Sequence, residues 1–161
     1  MLVTTVALAG LFTLPASAEP VKLDAVLAQK ALTRLDFADG SKHYVALLQR
    51  EGKAATQGLL AGAMVALYAF HDVVPGAGAD HHEYLVFTTP EGDMAYVKCS
   101  GRAVFVTGSD GKTRVLNNNV WEVVGATGKL KGLQGAGTFR VSRVSDAERM
   151  YSLEGDLVMG R

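Results

Sequence analysis

Histidine and acidic side chains that could bind a metal concentrate in one short stretch of the chain. His71 and Asp72 end one apolar segment, and His81, His82 and Glu83 begin the next one after a glycine-containing loop. In a regular strand His82 points away from its two neighbours, so at most His71, His81 and Glu83 can converge. Imidazole and carboxylate groups suit zinc or another divalent ion. Such groups at the rim of a fold are more often solvated, so these three are weak candidates and no metal site is favoured.

Tyrosines and glutamates elsewhere in the chain could bind an organic ligand. A tyrosine hydroxyl can orient a carbonyl or hydroxyl group, and a buried glutamate with a raised pKa can move a proton. The candidate ligand-binding residues are Tyr68, Tyr84, Tyr96, Trp121, Glu122, Tyr151 and Glu154. The alternative for each tyrosine is a rim position with its hydroxyl in water. No catalytic residue can be assigned from the sequence.

Composition limits the classes of partner and the number of domains. The 161 residues are enough for one domain with a hydrophobic core. Sixteen basic residues balance sixteen acidic ones, so there is no basic field to bind nucleic acid. No sequence feature calls for a cofactor. The single cysteine, Cys99, cannot form an intramolecular disulfide and is expected to be a small buried hydrophobe.

The first eighteen residues are typical of an export signal. Residues 2–14 form an apolar run too short to cross a bilayer comfortably, and Ala16 and Ala18 provide an A-x-A cleavage site. We expect a signal peptide over residues 1–18, cleavage before Glu19 and a mature domain over 19–161. The alternative is a buried N-terminal strand or helix. Export predicts a periplasmic or secreted protein with no stable membrane insertion after cleavage.

The mature chain is predicted to be all-β. Residues 19–32 fit neither helical nor strand periodicity cleanly, so we expect a short helix or an irregular lead-in there. Short β-branched or aromatic segments separated by glycine-containing turns then follow. The predicted strands are 43–49, 59–74 with a bend or bulge at Gly62, 82–88, 94–99, 102–107, 115–124, 139–144 and 150–157. A proline and a glycine between Thr89 and Asp93 mark the most secure hairpin turn.

Seven or eight strands without a covering helix must bury themselves against one another. A two-sheet sandwich and a closed barrel both satisfy this requirement. The successive hairpins and the long middle strand favour a single antiparallel, eight-stranded up-and-down β-barrel, because closure removes exposed edges. Small residues on the middle strand could open a pocket inside it, or could instead pack against large aromatic side chains. These small residues are Ala61, Gly62, Ala63, Ala66 and Ala69.

Three sequence motifs resemble those of one known family. Five glycines lie within residues 125–139, directly after Trp121 and its strand. The 87–93 hairpin and the 151–155 strand also match, although Thr89 stands where the family has aspartate. The chain resembles the secreted bacterial branch of the allene oxide cyclase barrel family, which is dirigent-like. The resemblance implies an eight-stranded barrel whose cavity binds a hydrophobic small molecule. It also implies assembly of homo-oligomers through barrel sides.

Two classes of function remain open at this point. The first is an exported barrel that binds a hydrophobic small molecule in its lumen, with a cofactor-free cyclase or isomerase as its catalytic form. The second is a non-catalytic structural or protein-interaction barrel with a filled lumen. Polar groups converging in an internal cavity would favour the first class, and an exposed apolar patch would favour the second.

Overall fold

The computed structural model describes residues 19–55 and 57–160, so the predicted signal peptide lies outside the described residues. The described chain forms eight strands and one 3-10 turn (Gly128–Leu130). The strands are β1 (Glu19–Asp36), β2 (Tyr44–Ala54), β3 (Met64–Val74), β4 (Gly78–Thr88), β5 (Met94–Thr107), β6 (Thr113–Ala126), β7 (Leu133–Arg143) and β8 (Glu148–Met159). In the part of the chain that the structure describes, no helix is long and apolar enough to cross a membrane.

The strands form a closed antiparallel barrel in simple up-and-down order. Each strand pairs with the next one in sequence, and β8 pairs with β1. The closing ladder runs from Glu19 opposite Leu157 to Ala28 opposite Glu148. The predicted eight-stranded barrel is therefore confirmed, and the sandwich is excluded.

The N-terminal segment is a strand, so the expected helix or irregular lead-in is wrong. Leu23, Ala25 and Leu27 point into the barrel, as alternation in a strand requires. A bulge at Lys30 then shifts the register between Gln29 and Ala31. Since a bulge reverses which residues face inward, the apolar positions on its two sides do not follow one common period.

The start of β3 also differs from the prediction. The strand begins at Met64, whereas the sequence predicted a start at residue 59. Gly58 and Gly62 both have positive φ, at 85° and 68°, which turns the preceding segment back on itself. Gly62 is thus part of a turn before the strand. The predicted 89–93 turn is present, with the Gly92 N–H donating to the Thr89 carbonyl at 2.9 Å.

The glycine-rich segment makes room for Trp121. The indole N–H donates to the carbonyls of Thr138 at 3.0 Å and Glu154 at 3.2 Å. A Cβ added at Gly137 would lie 2.0 Å from the Glu154 carbonyl oxygen and 2.8 Å from the indole nitrogen. Gly155 faces the same ring from β8, where an added Cβ would lie 2.8 Å from it. Only residues without side chains fit beneath the indole.

Trp121 helps to fill one half of the lumen. The cavity between the ring and its neighbours measures about 10 Å³, about the space of one water molecule. Its lining is entirely apolar: Val21, Leu23, Leu60, Val97, Trp121, Leu153 and Leu157. A ligand larger than water therefore has no room at this end of the barrel.

The wall of the barrel is incomplete between β6 and β7. Only Val120, Trp121 and Glu122 pair with β7, whereas every other ladder has ten or more residue pairs. Beyond Val120 the two strands separate around a cavity of about 530 Å³. Residues 117–119 and 138–142 line this cavity, which we call the seam cavity.

Candidate functional site

A buried carboxylate with two histidines occupies the inner wall opposite the filled half of the lumen. Glu83 lies on β4 and is 2% exposed. Its Oε1 atom is 3.3 Å from Nε2 of His71 on β3 and 3.1 Å from Nδ1 of His81. The three side chains that the sequence singled out therefore converge. They face the inside of the barrel, because alternation along β3 and β4 places His71, His81 and Glu83 on the inner face.

A hydrogen bond joins His71 to Glu83, and an ion pair joins His81 to the same side chain. Both histidines approach the same carboxylate oxygen, Glu83 Oε1. Among the described residues, no group of three or more His, Cys, Asp or Glu side chains is arranged to hold a metal ion. Both imidazoles face one carboxylate oxygen, which is an acid–base arrangement.

Asn119 fixes the orientation of His81. Its side-chain nitrogen donates to the Phe139 carbonyl at 3.2 Å, so its oxygen faces the other way. That oxygen lies 3.2 Å from Nε2 of His81, which must therefore carry a proton and donate it. The bond passes over Gly101, where a Cβ would lie 2.2 Å from the Asn119 oxygen. The ring of Phe139 packs edge-on against His81 at 5.7 Å between centroids.

The charges of Glu83 and His81 stabilise each other. Burial pushes the pKa of Glu83 upward, but hydrogen bonds and charge from His71 and His81 outweigh it and lower that pKa below 4.5. Burial pushes the pKa of His81 downward, but the adjacent Glu83 carboxylate raises it above 6.5. The geometry therefore favours a carboxylate beside an imidazolium.

Besides His81 Nδ1, two buried polar atoms at this end of the lumen have no hydrogen-bond partner. Oε2 of Glu83 is buried and unpaired. Arg50 enters the lumen from β2, donating from one terminal nitrogen to the Ala147 carbonyl at 2.9 Å and from the other to Gln29 Oε1 at 3.4 Å. Its Nε–H group is also buried and unpaired. Burial lowers the pKa of Arg50, and the charge of Glu83 makes a minor contribution in the opposite direction.

A thiol and a phenol complete the polar end of the lumen. Cys99 is the β5 neighbour of Glu83 and is buried. Tyr151 on β8 is also buried. Burial and the negative charge of Glu83 raise the pKa of both groups, which keeps them protonated and neutral. Cys99 is thus a neutral neighbour of the carboxylate.

The seven predicted ligand-binding residues divide between two faces. Trp121 and Tyr151 point into the lumen. The other five lie on the outside of the barrel, since each alternates with an inward-facing neighbour. Glu122 pairs with Lys98 at 3.4 Å, and the Tyr96 hydroxyl donates to the sulfur of Met94 at 3.2 Å. The remaining outward-facing residues are Tyr68, Tyr84 and Glu154.

Tyr68 and Tyr84 line a groove on the outer surface. They are direct neighbours across β3 and β4, and each is about half exposed. Leu47 and Phe70 lie beside them, and the groove encloses about 500 Å³. We call this feature the outer groove. Its lining also includes Ala69, which is paired with Glu83 across β3 and β4.

Arg50 and Asn119 are not among the residues predicted from the sequence. Each has a signal in retrospect: Arg50 stands two residues after the inward-facing Leu48, and Asn119 two residues before Trp121. A polar residue in register with buried positions marks a buried polar group. Reading that signal requires the strand register, which the sequence did not provide.

Comparison with solved structures identifies the fold. No protein-family model matches the sequence, and no curated protein matches it. A β-barrel-like protein from Acinetobacter baumannii superposes with a TM-score of 0.61 at 11% identity, covering 91% of this chain and 99% of that chain. A protein of unknown function from the DUF3224 family of Shewanella oneidensis MR-1 gives 0.45 at 17% identity, covering 86% and 96%. The pterocarpan synthase dirigent protein GePTS1 gives 0.37 at 9%, covering 99% and 100%. At 11% identity, the likeness to the Acinetobacter protein shows the barrel fold alone.

Proposed function

We propose that this barrel binds a small, mainly apolar molecule and holds its polar group between Glu83 and Arg50. The observation that carries the proposal is the pair of buried atoms without partners, Glu83 Oε2 and Arg50 Nε. Leaving a buried donor or acceptor unpaired costs about 1 to 3 kcal/mol. A ligand that pairs with these atoms recovers that free energy.

The seam cavity provides a route and a volume for such a ligand. Its lining includes Asn119 and Phe139, which both contact His81. At about 530 Å³ it falls within the roughly 300 to 1,000 Å³ typical of small-molecule sites. The molecule would enter between β6 and β7 and reach Glu83 past His81.

Binding of a defined probe tests the proposal. 2-Tetralone combines an apolar bicycle with one carbonyl group, and saturation-transfer NMR reports its contact with the full-length protein. We expect binding by the wild type and by Glu122→Gln, a variant changed only on the outer surface. Cys99→Leu, which enlarges the inner-wall neighbour of Glu83 on β5, should lose it. Equal binding by all three proteins would contradict the lumenal site, as would absence of binding by the wild type.

A protein-interaction barrel is the second candidate, and the outer groove favours it. Leu47 and Tyr68 are each more than half exposed there, so water contacts a contiguous apolar surface. Under this alternative the groove contacts another protein, a second copy of the chain included. Light scattering after size exclusion should then give a smaller mass for Tyr84→Ser than for the wild type. Unchanged mass of Tyr84→Ser together with lost probe binding in Cys99→Leu would leave the lumenal function.

The proposed export determines where this binding would take place. Residues 1–18 carry the expected signal, which would deliver the barrel to the periplasm or the exterior. Intact-mass measurement of the protein from its own host checks this point. A mature chain that begins at Glu19 supports export, and a chain that retains residues 1–18 contradicts cleavage.

A further inference from the structure

The hydrogen-bond network leaves one carboxylate oxygen free to react. The Phe139 carbonyl orients Asn119, Asn119 orients His81, and His81 lies against Oε1 of Glu83. His71 contacts the same Oε1 atom. Oε2 is left without a partner although Glu83 is almost entirely buried. The neighbouring side chains thus fix the carboxylate through one oxygen and leave the other for a ligand.

Arg50 presents a complementary donor in the same end of the lumen. Its two terminal nitrogens are engaged by Ala147 and Gln29, which fixes the guanidinium plane. The Nε–H group has no acceptor. A base beside a fixed cationic donor is the arrangement that removes a proton next to a carbonyl, because the donor stabilises charge on the oxygen.

Resting on the proposed function, we infer that the bound ligand is a carbonyl compound and that Glu83 moves a proton on it. Glu83 Oε2 takes the proton from the carbon next to the carbonyl. The C–H electron pair becomes a new C=C bond, and the carbonyl π pair moves onto oxygen beside Arg50 Nε–H. In a carbonyl ligand whose C=C bond starts at the next carbon along, the enolate is a dienolate. Return of a proton to the far end of this dienolate restores the carbonyl and leaves the C=C bond conjugated with it. The net change is an isomerisation without an oxidant, a reductant or a cofactor.

His71 and His81 act as positioning residues in this scheme. His81 keeps Oε1 occupied, so the reacting proton is exchanged at Oε2. His71 is 30% exposed and touches Oε1, which gives the pair a hydrogen-bonded contact with solvent. A proton removed from a ligand can therefore be replaced by one from water. In D2O, deuterium would then replace hydrogen on the ligand carbon that loses the proton.

Exchange of 2-tetralone protons in D2O tests this chemistry on the same sample used for binding. Proton NMR follows loss of the signal from the carbons beside the carbonyl, and saturation transfer reports binding. We expect the full-length wild type to accelerate exchange by about 100-fold or more over buffer. Glu83→Gln should bind but lose the acceleration, and Glu122→Gln should retain both. Circular dichroism confirms that each variant is folded.

The two measurements separate failure of the chemistry from failure of binding. Binding without accelerated exchange in the wild type overturns the proton-transfer inference and leaves the proposed function standing. No binding overturns both. Acceleration that survives in Glu83→Gln also overturns the assignment. If Glu83→Gln fails to fold, Arg50→Lys replaces it. This variant keeps the charge but loses the Nε–H donor, so exchange measured at saturating 2-tetralone should fall at least tenfold.

Discussion

Glu83 is buried as a charged residue, which is costly for a protein unless partners compensate. Removal of a carboxylate from water disfavours its ionised form, yet the contacts with His71 and His81 reverse that effect. The contact with His81 Nδ1 is 3.1 Å long but is not aligned as a hydrogen bond, so it is chiefly an ion pair. The site is therefore organised by charge as much as by directed bonds.

The pH dependence of stability follows from the two shifted pKa values. The raised pKa of His81 adds stability that is fully present below pH 6.5 and is lost as the pH rises through the raised value. The lowered pKa of Glu83 adds stability that is present above pH 4.5 and is lost as the pH falls through the lowered value. The free energy of unfolding should therefore be greatest between pH 4.5 and 6.5.

Urea unfolding across pH checks this expectation. Arg50, Cys99 and Tyr151 also face Glu83, but burial keeps the last two neutral and the guanidinium stays charged. His71→Gln separates the contribution of the second histidine. Glu83→Gln should flatten the maximum, and a profile identical to that of the wild type would contradict the ion pair.

Substitution of Gly101 tests how closely His81 and Asn119 are packed against β5. In Gly101→Ala the new Cβ would meet the Asn119 oxygen at 2.2 Å and His81 Nε2 at 2.7 Å. We expect the free energy of unfolding to fall by about 1 to 3 kcal/mol. Gly125→Ala on β6 is the matched control, since its Cβ would make an ordinary 3.6 Å contact with Tyr96. Equal stability of the two variants would show that the His81–Asn119 bond is not constrained there.

At the scale of elements, the features predicted correctly from the sequence are those that depend on a few neighbouring residues. The 89–93 turn depends on a proline and a glycine within five residues, and it formed where expected. β1 was missed because the bulge at Lys30 divides its alternation into two phases. The start of β3 was misplaced because Gly58 and Gly62 turn the chain before it.

The candidate site was predicted only in part, because a local sequence pattern links only those of its residues that are close in the chain. His71, His81 and Glu83 were recognised because a short loop joins their two strands. The burial of Glu83 and its contacts with β2 and β6 depend on closure of the whole barrel. Arg50 and Asn119 lie 33 and 36 positions from Glu83 in sequence, as their numbers show, so no local pattern connects them.

The incomplete ladder between β6 and β7 predicts a local difference in dynamics. Beyond Val120, β6 has a paired neighbour only in β5. Backbone amides that would face β7 across this gap are open to water, so they should exchange hydrogen faster than amides inside complete ladders. Hydrogen-exchange mass spectrometry should show less protection over residues 113–119 than over 94–100 of β5. Uniform protection across both segments would contradict an open seam.

At the scale of the whole molecule, the first and last strands are paired with each other. The fold should therefore not depend on where the chain begins and ends. β1 and β8 are paired, so a short linker can join Met159 to Glu19. New ends placed between Glu91 and Gly92 would lie in an exposed turn. This circular permutant of residues 19–159 should give the same β-sheet circular dichroism and the same emission from Trp121. A changed spectrum would mean that the original order is required for closure.

Pairing of the first and last strands also determines how the barrel would respond to mechanical force. Glu19 lies opposite Leu157, so β1 begins at the edge of the barrel where β8 ends. Tension applied through these two points acts across the ladder and loads one hydrogen-bonded pair at a time. Tension along the strand axes would instead load all the pairs together. The barrel should therefore unzip at low force from this end, and the lumen would open along β1 and β8 while the other ladders are still intact.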